Sequence, residues 1–269
     1  MKKILIFIIL STLFTGCGTN EESVDIVVSS FATNFIVTEI VGEELTVQNI
    51  IPENADPHEY EPTQKEIKLA TDAKMVFYID DHFDESLSQI EGSIPILDNL
   101  STNYDNPHFW ISPKKMVEAT EFIYQELEEE YGNKFEQNYQ SLKEKLLDLD
   151  LEYQEKLNEV KFNTFIVSHN SFAHLKDYNI ESIPLSNSDH ENNDTSQKDI
   201  LDIIEYIEEN DITYIAVEKN IACSTCEVIE KEVSIKTLEV DSFEFTDENT
   251  DYFSIQRNNL GSLVKIMNL

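Results

Sequence analysis

The feature that most constrains the fold is a regular alternation of short apolar segments with amphipathic ones. Asp25 to Ser29 reads as a buried strand, Asn34 to Val41 as a helix, and Leu45 to Ile50 as a second strand. Strands that alternate with helices predict a parallel sheet covered on both faces. The pattern continues along the chain, and it predicts further strands at 75–79, 95–97, 165–168, around 183, 214–217 and 237–240.

One long amphipathic segment divides this alternation into two halves. From Lys134 to Val160 an apolar residue recurs every three or four positions, which predicts a helix of roughly 40 Å at ~1.5 Å per residue. A shorter predicted helix from Pro113 to Tyr131 precedes it, and Gly132 separates the two helices. We therefore predict an α/β fold with two lobes, each a mostly parallel sheet flanked by helices, joined by a long backbone helix. The predicted boundaries are 24–112 for the N-terminal lobe, 113–160 for the linking helices and 161–269 for the C-terminal lobe.

Three histidines follow predicted strands or stiff turns. His58 lies between Pro57 and Pro62 in the run D-P-H-E-Y-E-P-T, and His108 lies between two prolines in N-P-H-F-W-I-S-P. Proline fixes its own φ and restricts the preceding residue, so both loops aim their histidine in a defined direction. His169 directly follows the predicted strand F-I-V-S.

In a parallel sheet, ligands bind beyond the carboxyl ends of the strands, where these histidines are predicted to lie. Three neutral imidazoles that converge would suit zinc, with a carboxylate or water completing a tetrahedron. The spacings between the histidines match no short ligand motif. An ordinary surface histidine in a tight turn is the alternative for His58.

The composition excludes one class of partner. The chain has a formal net charge of -34, and Arg257 is its only arginine. Nucleic acid is bound through lysine and arginine, so we expect no nucleic-acid partner. Strong acidity attracts cations from solution, although charge runs such as Glu126 to Glu130 are typical of solvated helix faces.

The first residues have the pattern of a secretory signal. Lys2 and Lys3 precede an apolar run, and Thr15-Gly16-Cys17 ends it. This ending resembles the lipobox of bacterial lipoproteins, in which the signal is cut before a cysteine that then carries the lipid. The resemblance implies a signal peptide at 1–16, a lipid anchor on Cys17 and a polar tether at 17–23, although Phe14 stands where leucine is usual. Plain secretion is the alternative.

With Cys17 lipidated, Cys223 and Cys226 form an even pair outside the cytoplasm, which favours a disulfide. Half of a four-cysteine zinc site and a redox C-x-x-C at a helix start are the other interpretations.

Four motifs together resemble those of one family. They are the two proline-framed motifs around His58 and His108, S-H-N-S-F at 168–172, and Y-F-S-I-Q-R-N-N-L at 252–260. They are similar to the TroA/ZnuA-like (cluster A-I) substrate-binding lipoproteins of zinc and manganese ABC transporters. The resemblance covers nearly all of the chain after the signal, and it implies two α/β lobes with the metal held between them.

The resemblance also implies site residues. His58 and His108 would be ligands from the first lobe, and His169 would be the third ligand. Manganese members have a glutamate in the third position, so histidine there indicates Zn²⁺ rather than Mn²⁺. Family members often carry an acidic residue shortly before the terminal tyrosine, which makes Asp251 the predicted fourth ligand, with Asp247, Glu248 or water as alternatives. The family also carries a glutamate at the place of Glu218, either as support for a ligand or as a buried structural acid.

The predicted function is that of an extracytoplasmic, lipid-anchored and monomeric binding protein that delivers Zn²⁺ to an ABC permease, with no enzymatic activity. Two rivals are open at this point. A zinc hydrolase would need an accessible metal-bound water and a general base, and an adhesin lipoprotein would hold its metal permanently.

Overall fold

The computed structural model of the chain describes residues 24–52, 55–101, 106–186, 196–246 and 250–268. The predicted signal peptide, the anchor at Cys17 and the tether lie outside the described residues, as do Asp247 and Glu248. Within the described ranges, no helix is both long enough and apolar enough to cross a membrane.

The N-terminal lobe is built on a parallel sheet of four short strands in the order β2-β1-β3-β4. The central strand β1 has all three of its residues buried, as expected for a strand covered by helices on both faces. The register pairs Ile26 with Val47 on one side and with Met75 on the other. The elements of this lobe are β1 (Ile26–Val28), α1 (Phe31–Val41), β2 (Val47–Asn49), α2 (Gln64–Asp72), β3 (Met75–Tyr78), α3 (Glu85–Ser88) and β4 (Ile94–Pro95).

Two long helices connect the lobes. Helix α4 (Pro113–Tyr131) begins with Ser112 as its N-cap and ends at Gly132, which has a φ of 64°. After a 3-10 turn at Gly132–Phe135, α5 (Glu136–Asn158) packs back along α4, and the rings of Tyr124 and Tyr139 stack at 4.0 Å. The positive φ at Gly132 turns the chain here, because a residue without Cβ adopts this conformation without strain.

Helix α5 reaches both lobes. Near its start, Asn138 donates a hydrogen bond to the carbonyl of Ile40 in α1. Near its end, Tyr153 donates to the carbonyl of Gln256 in the helix Tyr252–Ile266 at 2.8 Å, and Asp150 accepts from Tyr178 at 2.7 Å. The backbone helix is therefore present as predicted.

The C-terminal lobe repeats the sheet of the first lobe. Its strands are parallel and lie in the order β6-β5-β7-β8. The elements of this lobe are β5 (Thr164–Val167), a 3-10 segment (Asn170–Tyr178), β6 (Glu181–Pro184), α6 (Gln197–Glu209), β7 (Tyr214–Glu218), α7 (Ser224–Glu232), β8 (Lys236–Val240) and α8 (Tyr252–Ile266).

One apolar core runs through both lobes. Its buried side chains include Ile26 and Phe77 of the first sheet, Leu146 of α5, and Phe165 and Val167 of the second sheet. At the junction, aromatic rings of the two lobes meet in a cluster of Phe31, Phe35, Phe243 and Tyr252. The fold class is thus as predicted, whereas the domain boundaries at 112 and 160 stay predictions.

Cys223 and Cys226 are joined by a disulfide at the start of α7, with their Cα atoms 5.2 Å apart. Cys226 is buried in the smaller core beneath α6 and α7.

Candidate metal centre

His58 reaches the cleft on the loop between β2 and α2. The side chain of Asp56 accepts a hydrogen bond from the backbone N–H of His58 at 2.9 Å, which tightens the turn that Pro57 begins. At the end of the loop, Thr63 and Glu66 form a complete capping box that starts α2. The imidazole is 5% exposed and meets the ring of Phe83 edge-on at 5.1 Å.

His108 lies on the segment that leads into α4. The Oδ1 atom of Asn106 accepts from the backbone N–H of His108 and lies 3.1 Å from its Nδ1. Ser112 then caps α4, and Pro113 fills the first helical position, where a missing N–H costs nothing. The imidazole is completely buried.

His169 is placed by the central strand of the second sheet. It follows β5 after Ser168, whose hydroxyl accepts from the backbone N–H of Glu218 at 3.2 Å. The carboxylate of Glu218 is buried at the end of β7 and lies 3.5 Å from His169 Nδ1.

The fourth member of the cluster is Glu244, on the loop after β8. Asp241 accepts from the backbone N–H of Phe243, and Phe243 has a φ of 62°. This left-handed residue turns the chain so that the next side chain enters the cleft. The side chain of Glu244 is 3% exposed.

The four side chains converge to the spacing of a tetrahedral site. Nε2 of His58 lies 3.1 Å from Nε2 of His108 and 3.2 Å from Oε1 of Glu244, and Nε2 of His108 lies 2.9 Å from that oxygen. His169 Nδ1 lies 3.6 Å from the same oxygen. A tetrahedral zinc ion with bonds of ~2.0 to 2.1 Å has ligand-to-ligand edges of about 3.3 Å. The four distances above are near this value, and all four ligand atoms lie within 4.8 Å of one another, which suits such an ion.

Charge and protonation also suit a cation. Burial raises the pKa of Glu244, but hydrogen bonds from His108 and His58 outweigh it and hold the pKa of this carboxyl well below its usual range. Burial lowers the pKa of His108, and the nearby Glu244 offsets only part of that effect. Glu244 is therefore ionised and His108 neutral near pH 7, which are the forms that coordinate zinc.

The predicted fourth ligand, Asp251, is not in this cluster, and this corrects the sequence-based ligand set. Its side chain caps α8 by accepting from the backbone N–H of Phe253 at 3.1 Å and from the hydroxyl of Ser254 at 2.6 Å. Asp251 stands at an exposed N-cap with its oxygens in use, whereas Glu244 stands seven residues earlier at a buried turn. Glu244 has no flanking proline or other local motif, and its position shortly after β8 was the available signal.

Other histidines lie outside the cluster. His82 is exposed on the loop after β3, where Asp80 accepts from its backbone N–H. His174 is fully buried, and its Nε2 donates to the carbonyl of Asn106. His190, in the acidic sequence Asp189-His190-Glu191, lies outside the described residues.

The chain has two parallel sheets of the same strand order joined by a long helix, and three imidazoles and a carboxylate lie where the two lobes meet. This arrangement defines a two-lobed binding protein with a site suited to a transition metal. The chain matches the family described as "ZnuA: Zinc-uptake complex component A periplasmic" over residues 26–266, and it belongs to this family. The resemblance stated from the sequence is confirmed, and a zinc-uptake family agrees with the prediction of no enzymatic activity.

Two relatives show how far the likeness extends. The zinc-binding lipoprotein AdcA of Streptococcus pneumoniae is 26% identical over 304 residues, which cover 98% of this chain and 60% of AdcA. The chain thus spans about three-fifths of the length of this relative. The high-affinity zinc uptake system protein ZnuA of Bacillus subtilis is 24% identical over 93% of this chain and 92% of its own length.

Solved structures agree on the fold. The crystal structure of Zn(II)-bound AdcA from Streptococcus pneumoniae has a TM-score of 0.77 and 25% identity, covering 92% of this chain and 58% of that one. The laminin-binding protein of Streptococcus agalactiae has a TM-score of 0.82 at 20% identity, covering 91% of this chain and 100% of that one.

Proposed function

We propose that this protein captures Zn²⁺ between its lobes with His58, His108, His169 and Glu244 and delivers the ion to an ABC permease. The observation that carries the proposal is the convergence of these four side chains, two from each lobe, within 4.8 Å of one another. Because each lobe contributes half of the ligands, a small movement between the lobes weakens the whole set. Release can then follow when a docked transporter disturbs the junction.

The ligand set favours zinc over manganese. Three imidazole nitrogens and one carboxylate match the nitrogen-rich sites that zinc occupies, whereas manganese prefers carboxylate, carbonyl and water oxygens. Four protein ligands also complete a tetrahedron, which leaves no open position for the metal-bound water of a zinc hydrolase.

The location of the protein is part of the proposal. We infer that the chain is exported and held at the outer face of the cell membrane through a lipid on Cys17. The relative AdcA, which is named a zinc-binding lipoprotein, and the family description, which names a periplasmic component, support this setting. Cys17→Ser should release the protein from the membrane fraction and abolish incorporation of a radiolabelled fatty acid.

Competitive titration with Zn²⁺ and Mn²⁺ tests the metal. The wild type should prefer zinc, and His169→Glu should shift the preference toward manganese. His82→Ala is a matched control, because this histidine is exposed and lies outside the cluster. A wild type that prefers manganese, or a His58→Ala variant with unchanged binding, contradicts the proposed site.

An exchange experiment distinguishes a transported metal from a structural metal, which an adhesin would hold permanently. Zinc-loaded protein should pass its ion to a chelator while its circular dichroism stays native. A metal that leaves only when the protein unfolds is not cargo, and that result would rule out delivery. Uptake of radioactive zinc by cells that carry the protein and its permease, compared with cells that carry the Glu244→Gln variant, then measures delivery itself.

A further inference from the structure

The last helix presents three buried polar side chains on one face. Tyr252, Gln256 and Asn259 are spaced four and three residues apart, which places them on the same side of α8. Their exposed fractions are 0%, 0% and 2%. All three belong to the motif at 252–260, which contributes no member to the metal cluster. Because buried polar groups are retained with hydrogen-bond partners, the partners of this α8 polar face indicate what the motif does.

Two members of the α8 polar face hold the segment that carries His108. The hydroxyl of Tyr252 donates to the carbonyl of Trp110 at 2.9 Å, and Nε2 of Gln256 donates to the same carbonyl at 2.8 Å. Trp110 lies in the 3-10 turn that directly follows His108, and the N–H of Ile111 in this turn donates to the carbonyl of His108 at 3.2 Å. Helix α8 therefore anchors the main chain two residues after a ligand.

The amide of Gln256 is used at both ends. Its Nε2 faces the carbonyl of Trp110, and its Oε1 accepts from the hydroxyl of Tyr153 in α5 at 2.5 Å. A carbonyl can only accept, so only the nitrogen end of the amide suits Trp110. An apolar side chain of similar length at this position would keep the packing and lose both bonds.

The third member of the α8 polar face holds the loop that carries Glu244. Oδ1 of Asn259 accepts from the N–H of Asp241 at 2.8 Å, and Nδ2 donates to the carbonyl of the same residue at 2.8 Å. Asp241 then accepts from the N–H of Phe243, whose left-handed conformation leads into Glu244. One side chain thus binds both main-chain polar groups at the start of this loop.

The indole of Trp110 joins the two anchored segments directly. Its Nε1 donates to the carbonyl of Ser242 at 2.7 Å. An indole N–H can only donate and a carbonyl can only accept, so the direction of this bond is fixed. Trp110 stands two residues after His108, and Ser242 stands two residues before Glu244. The spacing between these two ligands is therefore held by α8 and by this bond.

We propose that Gln256 and Asn259 are positioning residues that hold the segments of His108 and Glu244 at the spacing of the metal site before the metal binds. Both act on the metal through the main chain of these segments. A pair of ligands that is already in place need not be ordered on binding, which strengthens binding. The proposal rests on the proposed function only in taking His108 and Glu244 as zinc ligands.

The metal-free protein has a built-in reporter for this arrangement. Trp110 is the only tryptophan, so its indole N–H gives a single signal in a ¹H–¹⁵N NMR spectrum. In the wild type this N–H should be protected from exchange with solvent, because it is buried and donates to Ser242. An indole N–H that exchanges as fast as that of free tryptophan would overturn the proposal.

Substitutions on α8 test the positioning role. Asn259→Leu and Gln256→Met each replace a buried amide by an apolar side chain of similar size. Both should speed exchange of the indole N–H and of the backbone amides at 241–244 at least 10-fold more than exchange at β1 in the other sheet. Asn258→Leu is the matched control, because this neighbouring asparagine is exposed, and it should change none of these rates.

Two outcomes of the exchange measurement count against the proposal. Wild-type rates at the indole N–H in Asn259→Leu would mean that the bonds to Asp241 do not hold the loop. Rates that rise by the same factor at 241–244 and at β1 would indicate a general loss of stability rather than a positioning role. If Gln256→Met does not fold, Asn259→Leu and the wild-type signal decide the question.

Zinc titration supplies an independent measurement. Asn259→Leu and Gln256→Met should weaken zinc binding by roughly 10-fold to 100-fold, the range found for residues that orient a metal ligand. Asn258→Leu should bind as the wild type does. Variants that lose the protection but bind zinc as tightly as the wild type would overturn the positioning role. A wild type that fails to bind zinc would instead remove the proposed function, while the exchange rates in the metal-free protein would still test how α8 holds the two segments.

Discussion

The two lobes share one sheet topology but use it differently. In both, a buried central strand is followed by a serine, Ser29 after β1 and Ser168 after β5. In the N-terminal lobe the next residue, Ser30, caps the regular helix α1 through its side chain. In the C-terminal lobe the equivalent residue is His169, which makes no capping bond and starts an irregular 3-10 segment instead.

The comparison shows a trade between local regularity and ligand placement. The N-terminal lobe keeps its central helix start for stability and presents its two imidazoles on loops after the edge strands β2 and β4. In the C-terminal lobe the imidazole of His169 follows the central strand β5, and the carboxylate of Glu244 follows the edge strand β8. Equal topologies therefore need not place their functional residues on equivalent loops.

The largest expected effect tests the contribution of the C-terminal lobe. Glu244→Gln removes the only anionic oxygen of the cluster, so zinc affinity should fall by about 1000-fold or more, beyond the ~10-fold to 100-fold typical of residues that only support a ligand. Asp251→Asn, at the cap of α8, should leave the affinity unchanged. Isothermal titration with a competing chelator measures both, and a larger loss for Asp251→Asn would restore the ligand set predicted from sequence.

Opposite pH responses are expected from one buried group in each lobe. Burial lowers the pKa of His174 to about 4, so its contribution to stability is present above pH ~6.5 and is lost as the pH falls toward 4. Burial raises the pKa of Asp84 to about 7 even though Ser29 and the backbone N–H of Ile79 donate to it. The contribution of Asp84 to the free energy of unfolding is present below pH ~3.8 and is lost as the pH rises through 7. Each group accounts for up to about 3 to 4 kcal/mol of pH-dependent unfolding free energy.

Urea unfolding of the metal-free protein between pH 4 and 8 measures these responses. Asp84→Asn should reduce the change of the unfolding free energy with pH near pH 7. His174→Gln should reduce this change on the acid side, toward pH 4. Curves for both variants that run parallel to the wild type would show that neither lobe has the pH response assigned to it.

The disulfide of the C-terminal lobe should have a smaller effect. Cys223 and Cys226 close a loop with a sequence separation of only 3, for which chain entropy predicts about 2 kcal/mol of stabilisation. The double variant Cys223→Ser, Cys226→Ala should lose about this amount in urea unfolding and keep its zinc affinity. A large loss of zinc binding would instead connect α7 to the metal centre.

The smallest effects are expected at the exposed ion pairs between α5 and the two lobes. Lys145 pairs with Glu39 of α1 at 3.7 Å, and Arg257 of α8 pairs with Glu152 at 2.7 Å. Exposed pairs contribute about 0 to 1 kcal/mol, so Lys145→Gln and Arg257→Gln should each lower the unfolding free energy by less than about 1 kcal/mol. Arg257→Gln should have the larger effect of the two, because its guanidinium binds Glu152 through two nitrogens. Equal losses above 2 kcal/mol would mean that the lobes depend on surface charge rather than on the shared core.

Local patterns predicted most of the fold because they act through neighbours in the chain. The apolar period of α5, the cap at Ser112 and the capping box at Thr63 all depend on residues within a few positions. Helices α2 and α4 begin where their caps place them, and α5 begins two residues after the predicted Lys134. The prolines around His58 and His108 are equally local. These two motifs therefore marked both histidines of the N-terminal lobe.

The C-terminal half of the site was harder to predict for a physical reason. Glu244 follows the left-handed residue Phe243, whose backbone N–H donates to Asp241. Several other acidic residues lie within ten positions of Glu244 in the sequence. Composition cannot separate them, and among the described residues burial distinguishes Glu244 from Asp241 and Asp251.

By itself, the sequence determined the alternation of strands and helices, the long connecting helix, three histidines at strand ends and the resemblance to zinc-uptake proteins. Only the tertiary structure decided that Glu244 rather than Asp251 joins the histidines, and that one face of α8 contacts the segment after His108. Those outcomes depend on contacts between segments more than 60 residues apart, such as Trp110 with Gln256 and His108 with Glu244. Contacts of that range exist only after both lobes have packed on α5.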